Sequence, residues 1–257
     1  MDLELSNKRV LITGASMGIG LAMAKKFLDE GANVLIVSRG SDNLFDNEKD
    51  LQSEYGVSKI FAEPCDCTSP TSLSELRDKV HDKWGGIDIV IANVGDGRSV
   101  PDPIPSEEQW NKTWSNNFDS ALYTARTFLP MLQKSNGCLL FVSSITAMEA
   151  FGAPVDYSTA KTAIAALAKN MARKLAKEVR VNVLAPGNVY FSGGSWDEKI
   201  KRDPERVKNI IETTVPMNRF GTPEEMADAA IFLCSERAKF ITGSVLVVDG
   251  GQTVGVF

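Results

Sequence analysis

Short apolar runs rich in β-branched residues alternate along this chain with longer stretches of helical periodicity. The runs at 10–13, 33–37, 59–63, 87–92, 138–143, 180–185 and 244–248 predict seven strands. Several are apolar at consecutive positions, the pattern of parallel strands covered on both faces. Helical patterns begin near Gly18, Asn43, Ser69, Ser106, Tyr157 and Thr222. Two of these starts have capping-box spacing: Ser106 with Gln109, and Thr222 with Glu225, the latter with Pro223 at the first helical position. Strands interleaved with helices imply right-handed βαβ units. The expected fold is α/β: three layers, doubly wound, a seven-stranded parallel sheet with helices on both faces. No repeat, low-complexity tract or Pro/Ser linker interrupts the pattern, so residues 1–257 are expected to form one domain.

Two stretches break the rhythm. Residues 96–105 (DGRSVPDPIP) form a proline-rich loop after the fourth strand, and 188–219 is long for a βα connection. Ligands of doubly wound sheets bind beyond the carboxyl ends of the strands. Both stretches leave from that edge, and 188–219 is expected to be the substrate loop. Its Tyr190, Phe191 and Trp196 stand among Lys199, Lys201 and Arg202. Aromatics beside polar groups suit a sugar ring or cyclic ketone, and the bases could meet a phosphate. The same pattern also fits an amphipathic lid that packs its own aromatics.

Composition narrows the function classes. With 43% hydrophobic and 24% charged residues, the chain is an ordinary globular protein with a sizeable core. Its 28 basic against 33 acidic residues leave a net charge of −5, which argues against a nucleic-acid partner. Residues 1–10 show no apolar signal-type segment, and no run approaches membrane-spanning length, so a cytoplasmic protein with no membrane partner is expected. Cys65, Cys67, Cys138 and Cys234 read as free thiols, and Cys65-x-Cys67 lacks the second ligand pair a metal would need. No metal is expected. The single histidine, His81, lies in the charged end of a helical pattern, which leaves no base for a Ser-His-Asp hydrolase. Some other residue must move the proton.

The first strand runs into Thr13-Gly14-Ala15-Ser16-Met17-Gly18-Ile19-Gly20 and then a helix. Strand, glycine turn and helix in that order make a pyrophosphate cradle, closed by the helix N-terminus. At the end of the second strand Ser38 stands where an acidic residue would accept the ribose 2′-hydroxyl of NAD. Arg39 follows, and a guanidinium pairs well with a 2′-phosphate. NADP(H) is therefore expected in preference to NAD(H). Farther along, Tyr157 and Lys161 are four residues apart on one helical face.

Further motifs follow in a fixed order: Asp66 with Cys67, Asn93-Val94-Gly95, Asn117, Ser144, Tyr157 with Lys161, Pro186-Gly187 with Val189, and Val248-Asp249-Gly250-Gly251. Together with the glycine turn they resemble the short-chain dehydrogenase/reductase family in its compact form, similar to the 3-oxoacyl-[acyl-carrier-protein] reductase-like members. The resemblance covers nearly the whole chain. It implies a Rossmann fold and an oxidoreductase interconverting a carbonyl and a secondary alcohol. The substrate it implies is a 3-oxoacyl thioester, sugar or cyclic ketone. It places Asp66 and Cys67 at the adenine and Asn93, Val94 and Gly95 beside the cofactor. Pro186, Gly187 and Val189 border the nicotinamide.

In that resemblance Tyr157 is the general acid/base, its pKa lowered by the Lys161 ammonium. Ser144 polarises the carbonyl; its spacing of thirteen residues before Tyr157 selects it over Ser143. Asn117, followed by the apolar Phe118, is selected over Asn116 to hold a proton-relaying water. The chain departs from the family at Val94, an alanine elsewhere, and at Ser120, usually glycine. Phe191 stands where a threonine usually meets the carboxamide, leaving that contact to the Asn188–Val189 backbone.

The resemblance also implies a homotetramer, otherwise a homodimer. Ala163, Ile164, Leu167, Ala168 and Met171 would form one stripe, with Ala160, Ala165, Ala166 and Ala172 on the remaining small surface. The apolar end at Val256 and Phe257 suits an interface. The competing reading from another class is a non-catalytic, NADP-binding regulatory protein.

Overall fold

Seven strands pair side by side, all parallel, in a computed structural model that describes residues 2–256. Phe257, the end of the apolar tail, lies outside the described residues. In chain order the strands are β1 (Arg9–Thr13), β2 (Asn33–Ser38), β3 (Ile60–Pro64), β4 (Ile89–Ala92), β5 (Cys138–Val142), β6 (Arg180–Pro186) and β7 (Val245–Val248). Their spatial order is β3-β2-β1-β4-β5-β6-β7, so the chain reverses its direction of travel between β1 and β4. Each strand lies within two residues of its expected position.

Nine α-helices cover the sheet within the described residues: α1 (Gly18–Asp29), α2 (Asp42–Tyr55), α3 (Pro70–Trp84), α4 (Glu107–Trp114), α5 (Ser120–Ser135), α6 (Val155–Leu175), α7 (Ser195–Arg202), α8 (Pro204–Thr214) and α9 (Pro223–Cys234). Alternating strand residues feed two cores. Val10, Ile12, Val34 and Ile36 pack under α1, α2 and α9, whereas Leu11, Leu35, Val90 and Phe141 pack under α3, α5 and α6. This two-sided burial is why the strands read as unbroken apolar runs. All four cysteines are free and buried. Among the described residues no helix is long and apolar enough to cross a membrane.

Several expectations are corrected here. The helix beginning near Ser106 is α4 and α5 joined by a π-helical turn, Ser115–Asp119. Its capping box is half made: Ser106 accepts the Gln109 N–H, but the Gln109 side chain turns to Ser99 and Thr113. The helix containing Tyr157 starts earlier, at Val155. The 188–219 segment is not a loop, since α7 and α8 occupy most of it. Along α6 the row facing the sheet is Ala160, Ile164, Ala168 and Ala172, with Leu167 and Met171 left half-buried. The four-residue spacing puts Ala160 and Ala172 in the core rather than on a second small-residue face.

At α9 the capping box is complete. The Thr222 hydroxyl accepts the Glu225 N–H at 3.3 Å and the Glu225 carboxylate accepts the Thr222 N–H at 2.9 Å. Thr222→Ala leaves the Glu225 N–H without its partner at the start of a helix that packs against α1. Chemical denaturation should show a loss of about 1 kcal/mol, and an unchanged midpoint would contradict this account of the cap.

Candidate active site

The reversal between β1 and β4 opens a crevice beyond their carboxyl ends, and the glycine turn lines it. Gly14 and Gly18 have φ of +64° and +56°, a region that side chains disfavour. Gly20 is needed for space: a Cβ there would meet the Gly14 carbonyl and lie 2.7 Å from Asn93 Nδ2. That amide donates to the Thr13 and Gly14 carbonyls, both at 3.0 Å, while the Thr13 hydroxyl accepts the Asn93 N–H at 3.1 Å. Val94 packs on Gly14 from the same side. Asn47 of α2 donates to the Ser16 carbonyl at 2.9 Å. Nothing in the local sequence marks Asn47 for this task, because the contact joins segments 31 residues apart.

Met17, the residue before α1, is extended and provides no side-chain cap. The first N–H groups of α1 therefore carry no side-chain acceptor, the arrangement that receives a phosphate. Ile19 is half-buried in that first turn. These residues fit the pyrophosphate of a dinucleotide. Phe191 lies across the same turn, its ring 2.7 Å from where a Gly18 Cβ would stand. It is a packing residue of the cradle.

At the ends of β2 and β3 a cavity of about 310 Å³ is lined by Arg39, Cys65, Asp66, Ser72, Glu75 and Lys79 among others. Arg39 is exposed there, with Nη1 3.4 Å from Asn116 Oδ1. The Ser38 hydroxyl donates to the Gly40 carbonyl at 2.8 Å and so shapes the turn that presents Arg39. Burial pushes the Asp66 carboxyl up, but the Thr68 amide and hydroxyl and the Arg39 charge outweigh it and hold Asp66 below its ordinary value. The Cys67 side chain is buried in the core beneath α3 and α5, and Cys65 lines the cavity.

The four candidate catalytic residues converge at the ends of β4 and β5. Lys161 is 3% exposed and its Nζ donates to the Val142 carbonyl at 3.1 Å. Burial pushes its ammonium down to about 8. The Nζ lies 5.7 Å from the Tyr157 ring centre. The half-buried Tyr157 phenol has the Ser144 hydroxyl as its polar neighbour. Here the expected lowering by Lys161 does not emerge from the chain's own groups. Burial raises the phenol and Asp96 adds to the rise, against the lowering influence of the Ser144 hydroxyl. Ser144 begins a short 3₁₀ turn and accepts the Thr146 N–H at 3.2 Å, while Ser143 is committed elsewhere, to the Lys161 carbonyl at 2.9 Å.

Asn117 is fully buried in the π-helical turn, a feature frequent at functional sites. Its Oδ1 accepts the Asp96 N–H at 3.0 Å, and its Nδ2 donates to the Asp96 and Thr113 carbonyls. Ser120, where glycine is usual, donates to the Asn116 carbonyl at 2.7 Å and so braces the turn. Gly95 stands between the Lys161 ammonium and the Asn117 amide: a Cβ there would lie 2.7 Å from Lys161 Nζ and 3.0 Å from Asn117 Oδ1.

The walls of the site are charged. Arg98 makes a two-pronged pair with Glu198 of α7, at 3.0 and 2.8 Å, and also reaches Asp96 and the Gly193 carbonyl. The aromatics of the expected substrate loop pack among themselves, Tyr190 and Trp196 against Phe220, with Lys199 over Trp196. Lys201 pairs with Asp197. On the other side Gly187, after Pro186, has no room for a Cβ beside Asp249. Val189 is buried, and the neighbouring Asn188 carbonyl is taken by the Gly221 N–H.

A family model described as enoyl-(acyl carrier protein) reductase matches residues 14–253. A dehydrogenase/reductase SDR family member 4 from Rattus norvegicus is 34% identical over 96% of this chain and 88% of its own length. The chain belongs to the short-chain dehydrogenase/reductase family. A 3-oxoacyl-[acyl-carrier-protein] reductase from Thermotoga maritima is 30% identical over 98% of this chain and all of its own. Among solved structures, L-sorbose reductase from Gluconobacter frateurii, complexed with NADPH and L-sorbose, superposes with a TM-score of 0.93. It is 30% identical, with 100% of both chains covered. This short-chain dehydrogenase/reductase is an oxidoreductase of the carbonyl–alcohol type that binds NAD(P)(H).

The buried Lys161 has a measurable consequence. Its folded pKa, about 8, lies below the ordinary value of about 10.4, so folding penalises the ammonium. The penalty is complete below pH 8 and is relieved as pH rises towards 10.4. Lys161→Met removes it. The variant should be more stable at pH 7, by up to about 3 kcal/mol, and the gap should close by about pH 10. Thermal unfolding at both pH values checks this, and a gap independent of pH would contradict it.

Proposed function

We propose that this protein is an NADP(H)-dependent reductase of polar ketones, with Tyr157 as the general acid. The observation that carries the reading is the meeting of the Tyr157 phenol and the Ser144 hydroxyl over a buried Lys161, at the mouth of a cradle suited to a dinucleotide. When bound, the nicotinamide supplies the hydride. Ser144 donates a hydrogen bond to the substrate carbonyl oxygen and stabilises its developing negative charge. Tyr157 gives that oxygen its proton. Burial keeps the phenol protonated, the form that can give up a proton when a carbonyl is reduced. Lys161 Nζ and Asn117 Oδ1 both close on Gly95, where a side chain would not fit, and a water held by Lys161 and Asn117 would resupply the proton.

Arg39 at the β2 end would hold the 2′-phosphate, with Asp66 at the adenine. The charged walls made by Asp96, Arg98 and Glu198 favour a hydroxylated carbonyl such as a sugar over a cyclic ketone or the acyl chain of a 3-oxoacyl thioester. A regulatory protein without turnover is disfavoured, because Tyr157 and Lys161, which such a protein would be free to lose, are both present. We further propose a homotetramer, or a homodimer. The aromatic ladder Trp110, Trp114 and Phe118, the half-buried edge strand β7 and the exposed Val254 and Val256 support it. Initial rates with both reduced cofactors against ketoses, cyclic ketones and acetoacetyl thioesters test the reading.

Arg39→Asp should move cofactor preference from NADPH towards NADH by about tenfold or more, because it removes the phosphate's partner and adds a like charge. Equal KM ratios for the two cofactors in native and variant protein would remove Arg39 from the site. Tyr157→Phe deletes one oxygen and should lower kcat about 10²–10⁴-fold. NADPH affinity, read by fluorescence titration, should stay within twofold. A variant with native kcat would show Tyr157 to be a packing residue.

A further inference from the structure

The first turn of α6 holds a buried carboxylate that the proposed proton transfer does not use. Asp156 is 1% exposed and immediately precedes Tyr157. Its Oδ1 accepts the Tyr157 N–H at 2.8 Å, and its Oδ2 accepts the Ser99 hydroxyl at 2.5 Å. A helix-capping role accounts for the first bond and for the favourable placing of a negative charge at a helix start. It does not account for the second, which ties α6 to the loop after β4.

The connection continues. The Ser99 oxygen accepts the Gln109 side-chain amide at 3.1 Å, and the same nitrogen donates to the Thr113 hydroxyl at 2.9 Å. One turn on, the Thr113 carbonyl accepts Asn117 Nδ2 at 2.9 Å. Asn117 in turn clamps both backbone groups of Asp96. Asp96 and Ser99 share one short loop, so the bonds from Ser99 through Gln109, Thr113 and Asn117 to Asp96 close into a ring, and Asp156 fastens Tyr157 to it at Ser99. This ring also uses the Gln109 side chain that forgoes its capping box.

We propose that Asp156 is a positioning residue, which with Ser99 and Gln109 sets the place of the Tyr157 phenol relative to Ser144, Lys161 and Asn117. The carboxylate takes two donors at once: the Tyr157 N–H on one oxygen and the Ser99 hydroxyl on the other. An asparagine that keeps the Tyr157 N–H turns its NH₂ to the Ser99 oxygen, which already accepts Gln109, and leaves the Ser99 proton without its acceptor. A hydroxyl that loses its acceptor shifts its segment, and small displacements of a reacting group cost much rate.

The inference rests on the proposed role of Tyr157. It is tested with Ser99→Ala, Asp156→Asn, their double variant and Tyr157→Phe. The readouts are kcat and KM with NADPH against L-sorbose, acetoacetyl-coenzyme A and 9,10-phenanthrenequinone, with NADPH affinity and thermal midpoint measured alongside. Ser99→Ala, which removes a loop hydroxyl and leaves α6 intact, should lower kcat about tenfold or more. KM and NADPH affinity should stay within twofold. Asp156→Asn should do the same, and the double variant should be no slower than the slower single, since both remove the same Ser99–Asp156 bond. Native kcat in Ser99→Ala, or a double variant whose loss is the product of the singles, overturns the inference while a dead Tyr157→Phe leaves the functional reading standing. Turnover that survives Tyr157→Phe, or a native protein that reduces none of the three probes, overturns both.

Discussion

The ammonium group of Lys161 is enclosed beneath the carboxyl edge of the sheet, with the Val142 carbonyl 3.1 Å from it. Burial alone pushes it down to about 8. Its neighbours are arranged around that group. The Ser143 hydroxyl holds the Lys161 carbonyl, Gly95 yields the space a side chain would take, and the π-helical turn swings Asn117 inward to face the same gap. Tyr157 is set one helical turn earlier on the same face. A buried charge is costly to a fold, and sites of this kind are where proteins accept that cost for chemistry.

The opposite half of the crevice works through backbone rather than charge. Gly14 and Gly18 turn the chain, and Gly20 lets it touch Asn93, whose amide fastens the turn to the end of β4. The two strands that flank the reversal of the sheet are thereby locked at the point where a dinucleotide would cross. A second close approach, Gly187 against Asp249, joins the ends of β6 and β7 in the same manner. Both are cases in which absence of a Cβ is the functional property of the residue.

Between these halves, the substrate walls are joined by the Arg98–Glu198 pair. Both side chains are largely exposed, so the pair is worth little to stability. It can part without disturbing the core. The aromatics of α7 and its flanks are packed on one another and on Lys199, so the polar character of the entrance comes from Asp96, Arg98 and Glu198. The self-packed aromatics come from one amphipathic segment folded on itself, and the charged rim from its meeting with the loop after β4.

The chain's own order of residues determined the sheet, because strands buried on both faces must be apolar throughout and helices buried on one face must repeat every three to four residues. It also determined the glycine turn, the Thr222 cap and the pairing of Tyr157 with Lys161, all of which are local. What tertiary structure decided depends on contacts between distant segments. The π-helical turn at Ser115–Asp119 is braced by Ser120 and by the loop after β4, and its sequence SNNFD reads as ordinary helix. Cys65 and Cys67 enter the same core, and only the way the chain turns after β3 brings Cys65 to the cavity wall. The faces of α6, the folding of 188–219 into α7 and α8, and the Asn47 brace were settled by packing. The Ser99–Asp156 bond joins residues 57 positions apart, and periodicity carries no information over that distance. Local pattern sets what each segment can be; the close approach of unrelated segments sets which side chains share a site.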